Sequence, residues 1–514
     1  MRYLYGLAIV SCLILWSSCR NDFETVASTG SLEFSKDTVY LDTVFTRIGS
    51  STYNLKVYNR SNEDINIPTV RLAQGEASNY RLNVDGIPGK VFENVQILAK
   101  DSIFIFIETT LDINNLPTNA PDFLYTDQLL FDSGGNEQKV ELVTLVKDAV
   151  FLFPEKFPDG TTEMLNLGND SDGNPILVKG FFLDDDELTF TNEKPYVIYG
   201  YAAVAGNKTL SVEAGARVHF HYGSGIIVAQ NGTMKSLGEP STDPEAMENE
   251  VIFEGDRLEP GFADVPGQWS TIWLTDGSLD NEFRNTTIKN GTIGLFVNTS
   301  NPISLKNVQI YNNSNVGLLA RHSVIDGENM VINNSGQSSL AIQLGGSYEF
   351  RHCTFANYWT NSFRSFPSVS IENTFETETD LFIADLLKAD FINCIIYGNE
   401  RREFSLYQDS QGAFNFKFEN SLVRFEDPTG EFSNDPLYDF TNPALYPATR
   451  FNLDPAFQDT ELNNFNIEKG TSGAEGIGLP GVLPPKDLNG TTRGNTQQDP
   501  PDAGAYESID FPQG

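Results

Sequence analysis

Chemistry in this chain concentrates around one predicted loop. Val251-Ile252-Phe253-Glu254-Gly255 reads as a strand and leads into a long loop from Asp256 to Gly267. Trp269 and Trp273 follow at once. Asp256, Arg257, Glu259, Asp276, Asp280 and Arg284 are their charged neighbours. A loop ejected from a regular repeat is a usual place for function. Asp256, Arg257, Trp269, Trp273, Asp280 and Arg284 are therefore the candidate binding groove, with Trp stacking on a sugar or anchoring a partner. The competing reading is that both indoles fill the core beneath the loop.

Other candidates are weaker. His219 and His221 alternate along a strand and so share a face. Two His can start a metal site, but no third ligand is identifiable nearby. Asn169-Asp170-Ser171-Asp172-Gly173-Asn174 has the flavour of a calcium loop. It fails the EF-hand pattern, because Pro175 and Phe181 stand at the Gly and Glu positions. Asp184-Asp185-Asp186-Glu187 reads as a solvated turn, with loose Ca²⁺ binding as the alternative. No other cofactor is implied, and no metal ligand set or catalytic residue is assigned. Polysaccharide lyases need a basic residue plus acids for Ca²⁺, and glycoside hydrolases need two carboxylates at a set separation. Lys289, Lys306, Arg321 and Arg351 are not expected to fall in one register. The reading leans against an enzyme.

What must position these residues is a repeat. Asn285-Thr286-Thr287-Ile288-Lys289-Asn290 returns as Asn307–Asn312, Asn329–Asn334, His352–Asn357 and Asn393–Asn399. The first residues step by 22 (285 to 307), 22 (307 to 329), 23 (329 to 352) and 41 (352 to 393). A fixed period of this size marks a solenoid. Short β-rich runs such as Ile293–Val297, Val316–Ala320 and Leu340–Ile342 lie between the phrases, bounded by Gly, Asn or Ser. Two or three short strands per period, without a helix, describe a parallel β-helix. The Asn residues tolerate left-handed corners and can bond up and down the stack. The 41-residue step reads as one coil with a polar excursion holding Glu376, Glu378 and Asp380, and a helical turn at 384–388. Cys353 and Cys394 should stack in adjacent coils, as buried thiols or as a disulfide.

Before the repeat, residues 30–148 show about seven strands separated by turns such as Asn59-Arg60-Ser61-Asn62, which suggests a β-sandwich. Val57–Asn62 resembles the motif of immunoglobulin-like domains in cilia- and spindle-associated proteins. Residues 149–195 read as an acidic join and N-terminal cap, 196–424 as the β-helix, and 425–514 as a C-terminal capping module. Asp487-Leu488-Asn489-Gly490-Thr491-Thr492-Arg493 and Asp502-Ala503-Gly504-Ala505-Tyr506-Glu507 resemble the tail of right-handed parallel β-helix, pectate-lyase-like surface proteins, with Asn489 in place of an Asp. The resemblance covers 196–509 and implies architecture, with Arg493 and the tail acids holding a cap over the solenoid end. The fold class is all-β.

The N-terminus reads as an address. Residues 1–18, with Arg2 and an apolar run from Leu4 to Trp16, look like a signal peptide. Trp16-Ser17-Ser18-Cys19 resembles a bacterial lipobox with Cys19 as the lipidated residue. Residues 19–29 form a tether, in which Asn21-Asp22-Phe23-Glu24 resembles the acidic export signal of Bacteroidota surface lipoproteins. The implied address is the outer leaflet of the outer membrane, facing the exterior. With 34 Lys+Arg against 70 Asp+Glu, the chain would repel nucleic acid, anionic lipid and acidic glycans. The expected function is a non-catalytic binding or scaffold subunit beside integral outer-membrane proteins, serving assembly, secretion or nutrient uptake. A polysaccharide-binding protein or a β-helix lyase or hydrolase is the alternative.

Overall fold

The computed structural model describes residues 25–512, apart from 29–31, 118–119, 133–135, 170–172 and 244–245. The lipobox, Cys19 and the export signal lie outside the described residues. No helix among the described residues is long and apolar enough to cross a membrane. The fold is all-β, in two compact units that divide between Asp148 and Ala149.

The first unit is a sandwich of two sheets. One orders Val26–Ala27, Ile65–Leu72, Asp122–Asp132, Glu137–Lys147 and Thr38–Phe45, with Val91–Ile97 also on Ile65–Leu72. The other orders Glu33–Phe34, Tyr53–Tyr58, Ser102–Thr109, Tyr80–Val84 and Ile87–Gly89. Alternation decides which side chains meet between them. In Ser102–Thr109, Ile103, Ile105 and Ile107 point inward and Phe104 and Phe106 outward. Asn59 locks its turn by donating to the carbonyls of Glu63, Ile97 and Leu98.

The second unit is a parallel β-helix of three sheets, here A, B and C in chain order within each coil. Arg217–Phe220 lies in A, Gly225–Val228 in B and Thr233–Leu237 in C. Each pairs in parallel with its counterpart one coil on: Val251–Gly255, Ile272–Leu274 and the first part of Glu282–Lys289. Inward side chains stack into one continuous core, with Ile288, Ile310, Ile332 and Phe355 in one column. The stack starts before Tyr196, since Val150–Leu152 already pairs with Tyr196–Ile198 in sheet A. It also runs past 424, to Arg450–Phe451. The 41-residue step is one coil. Its excursion is a hairpin, Thr374–Glu376 with Leu381–Ile383. The helical turn expected at 384–388 is absent: Leu386–Ile392 is a strand of sheet C, because pairing with Gly346–Arg351 outweighs local helix propensity. Cys353 and Cys394 are free, buried thiols.

The first Asn of the phrase turns each coil from sheet C into sheet A. Asn285, Asn307, Asn329, Asn393 and Asn420 all hold positive φ, between 41 and 55°. Asn307 donates to Asn285 Oδ1 at 2.9 Å, and Asn329 to Asn307 Oδ1 at 3.0 Å. At the far corner Asn334 donates to Asn312 Oδ1 at 2.7 Å.

The C-terminal segment splits in two. Residues 425–451 cover the solenoid end with packed rings, among them Phe425, Phe432, Tyr438, Phe440 and Tyr446. The tail beyond, expected to join that cap, lies instead along the outside of sheet A. Phe465, Ala505 and Tyr506 pack on Tyr311, Val331 and Ala356, while Ile467, Ala474, Ile477 and Ala503 pack on Ile395 and Leu422. The physical reason is on sheet A, whose outward rows there are apolar and need a cover. Arg493 bonds Glu507 Oε1 at 2.7 Å and Asn329 Oδ1 at 2.8 Å, so it joins the tail to the corner ladder.

Candidate functional site

The residues of the expected groove do not converge. Trp269 is 1% exposed, stacks on Phe220 at 4.3 Å and donates from Nε1 to the Lys289 carbonyl at 2.9 Å. It is core, as the competing reading had it. Asp256 is buried and bonds His221 Nδ1 at 2.8 Å. Arg257 pairs with Glu259 at 2.9 Å and lies 3.9 Å over the Phe262 ring. Asp280 is exposed at a sheet C corner and pairs with Lys235 at 3.0 Å. Arg284 stands on the outside of sheet C, between Leu237 and Lys306.

Lys289, Lys306, Arg321 and Arg351 do not share one register, although two of them do. Arg284, Lys306 and Arg351 occupy one row of sheet C, with Glu328 between the last two. The row is not a basic track. Arg351 reaches Asp326 at 2.6 Å and Glu328 at 2.5 Å, and Lys306 lies 3.7 Å from Glu328. Sequence spacing hid this, because Glu282–Lys289 and Pro302–Asn313 each bend through two sheets. Lys289 and Arg321 belong to other faces, A and B.

Trp273 is half-buried and packs beside Ala203, Ile227 and the hairpin of Met164–Asn169 and Pro175–Phe182. It projects from the outside of sheet B, where parallel stacking sets side chains in axial rows. One row runs Ile227, Trp273, Phe296, Leu319, Ala341 and then Ser370. The rings of Trp273 and Phe296 stack at 5.4 Å. Two positions along each strand lies a polar row holding Arg321, Gln343, Glu372 and Tyr407. Arg321 donates to Gln343 Oε1 at 2.9 Å, and its guanidinium lies 3.7 Å over Phe375 and 5.3 Å over Phe296. Burial pulls the Arg321 pKa below its ordinary value. Burial also pushes Glu372 up, against a 3.1 Å bond from Ser370 Oγ. Two hairpins flank this strip. Leu165, Leu167 and Val178 of the first pack over Ala203 and Ile227, and the second supplies Phe375.

The sequence signal for the strip was a hydrophobic residue at the outward position of three successive sheet B strands, Trp273, Phe296 and Leu319. Register was needed to see it. Among the described residues no group of three or more His, Cys, Asp or Glu is placed to hold a metal ion. Asp170–Asp172 of the suggested calcium loop lie outside the described residues. Asp184–Glu187 form an exposed turn closed by the Glu187 amide on the Asp184 carbonyl at 3.0 Å.

No protein-family model matches this chain, and no curated protein matches it. Solved structures similar to parts of it include the following three. A family 123 glycoside hydrolase from Clostridium perfringens matches at 9% identity and TM-score 0.17, over 24% of this chain and 30% of its own. The periplasmic chaperone SfaE matches at 12% and 0.16, over 29% and 82%. The catalytic domain of a family 87 α-1,3-glucanase, solved with tetrasaccharides, matches at 11% and 0.21, over 72% and 77%. At these values none of them bears on what this chain does.

Proposed function

We propose that this protein is a lipid-anchored binding protein at the outer-membrane surface, and that its ligand is an extended glycan laid along the outside of sheet B. One observation carries the reading: an apolar row with stacked Trp273 and Phe296 beside a polar row of Arg321, Gln343, Glu372 and Tyr407. A sugar offers an apolar face and a hydroxyl edge, and the two rows match both. Coils repeat at roughly 4.8 Å, close to the length of one pyranose in an extended chain. Cys19 and the acidic signal after it support the address.

The test is a glycan array probed with the full chain lacking its signal peptide, followed by the Trp273→Ala/Phe296→Ala variant. Binding that falls at least tenfold in the variant, with an unchanged melting curve, supports the reading. No glycan bound, or binding indifferent to the variant, overturns it. In cells, Cys19→Ala should abolish incorporation of labelled palmitate.

A second reading, a subunit of an outer-membrane protein complex, is favoured by exposed apolar side chains. Phe363 is 90% exposed, and Leu381, Phe382 and Leu387 are exposed as well. Gentle detergent extraction of the tagged protein tests it, through co-purification of one barrel protein at a fixed ratio.

A further inference from the structure

Strand alternation sends every second side chain of Ser102–Thr109 away from the sandwich core, where polar residues belong. Two of those outward positions hold Phe104 and Phe106, 45% and 42% exposed, with rings stacked at 6.2 Å. Lys56 stands directly opposite Phe104 on Tyr53–Tyr58, and Tyr58 is the next outward residue of that strand. Lys56 Nζ lies 5.2 Å from the ring centres of both Tyr58 and Phe104. The Arg60 guanidinium lies 4.2 Å from the ring centre of Tyr58. Rings with cations reaching over them are the composition of a membrane interface. There the rings sit at headgroup level, and Lys and Arg extend to the phosphates.

The path of the chain points to what covers this strip. Val26–Ala27 pairs with Ile65–Asn66, and the Val26 amide donates to the Asp64 carbonyl at 2.9 Å. That places Val26 at the 59–64 turn, to which Arg60 belongs. The chain therefore joins the sandwich at the end where the strip begins. From Tyr58 to Phe106 the strip runs roughly 14 Å. Val26 comes seven residues after Cys19, which allows at most about 25 Å of chain. The two sheets of a sandwich pack about 10 Å apart. The tether is thus long enough to pass the sheet edge and bring the whole strip onto a surface that holds a lipid on Cys19. A net charge of −36 sets aside an anionic surface.

We propose that the sandwich lies on a zwitterionic lipid surface through Tyr58, Phe104 and Phe106, with Lys56 and Arg60 reaching the headgroup phosphates. The proposal rests on the lipid anchor at Cys19. Three rings at headgroup level bind weakly from free solution. The anchor makes the contact intramolecular, so it forms at the high effective concentration that a short tether sets. The strip is separate from the outside of sheet B, and neither requires the other.

The experiment reconstitutes the lipidated full chain in phosphatidylcholine vesicles, with and without dibrominated phosphatidylcholine, which quenches indole rings at the bilayer boundary. Phe106→Trp places the probe on the strip. Tyr40→Trp, at a position 64% exposed on the other sheet, is the control. The parent chain supplies the background of native Trp, and melting curves of all variants should match it. The fluorescence added by Phe106→Trp should fall at least about twofold with brominated lipid, and that added by Tyr40→Trp should not fall. Adding Lys56→Glu and Arg60→Glu to Phe106→Trp should restore most of the lost signal. Protein that floats with the vesicles but shows no quenching of Phe106→Trp, or equal quenching at both positions, overturns this proposal and leaves the anchor standing. Phe106→Trp shielded from aqueous acrylamide in native membranes, yet not quenched by brominated lipid, assigns the strip to a protein partner and overturns it too. Protein that incorporates no labelled palmitate and does not float overturns the anchor, and this proposal with it.

Discussion

At the scale of single residues, His352 stands where the repeat elsewhere places Asn. It adopts the same corner geometry, at φ 52°, and its Nε2 lies 3.0 Å from Asn393 Nδ2. An amide N–H donates, so Nε2 must be unprotonated to accept. Burial, and then the nearby Arg493 charge, push its pKa well below 6.5. The sign follows from linkage. The unfolded chain binds a proton near pH 6.5 and the folded chain does not, so this group's contribution is present above that pH and is lost as pH falls below it. Glu507 works in the opposite direction. Burial raises its carboxyl to about 7, so its contribution is present at low pH and is lost as pH rises from about 4.5 to 7. His352→Asn should therefore flatten the acid-side loss of stability, and Glu507→Gln should remove the loss between about pH 4.5 and 7. Urea midpoints across pH check both. The two signs could not have been assigned from sequence, since each depends on tail residues that fold back from more than a hundred positions away. Nor was the pairing of Glu254 with Lys289 legible, since Lys289 reaches it through sheet register alone.

At the scale of elements, the corner ladder explains why the phrase recurs. Asn307 contributes in two ways, by accepting left-handed geometry and by bonding Asn285 and Asn329. Asn307→Ala loses both, and left-handed geometry alone costs a residue with a Cβ roughly 1–2 kcal/mol. Asn307→Gly keeps the geometry and loses only the bonds. We expect Ala to lower stability by about 3–4 kcal/mol and Gly by about 2 kcal/mol, each net bond being worth about 1 kcal/mol. Equal losses in chemical denaturation would show that the bonds alone matter. This element was legible in advance because it is local: an Asn every 22 residues specifies a corner without knowledge of what packs on it. The tail was not legible in the same way. Its motif announced an architecture, yet the side it covers depends on apolar outward positions such as Val331, Ile395 and Leu422. Those positions are indistinguishable from inward ones until the sheet phase is known. Residues 384–388 failed for a related reason, because a short Ala-Asp-Leu-Leu-Lys run satisfies helix propensity until a neighbouring coil supplies strand partners.

At the scale of the whole molecule, the two units bury separate cores. Leu55, Val57, Ile105 and Ile107 belong to one, and Ile288, Ile310, Ile332 and Phe355 to the other. They also differ in kind. The sandwich closes mostly through antiparallel pairs far apart in sequence, such as Ile65–Leu72 with Asp122–Asp132. The β-helix adds one coil on the last, so each coil depends on its neighbours. Separate cores with few shared residues unfold as separate cooperative units. Calorimetry of the full chain should therefore show two transitions. Leu55 is fully buried, and Leu55→Ala should cost about 2–5 kcal/mol, moving one transition down by several degrees and leaving the other in place. Ile310→Ala, equally buried, should move only the other. A single transition that shifts with either substitution would show that the cores unfold together. In that case a ligand bound on sheet B would stabilise the sandwich too. With two transitions, a ligand raises only the one that Ile310→Ala lowers, because binding free energy adds to the cooperative unit that holds the site. The same scan with a bound glycan thus locates its site in the sandwich or the β-helix, and the Trp273→Ala/Phe296→Ala variant then asks whether that site is sheet B.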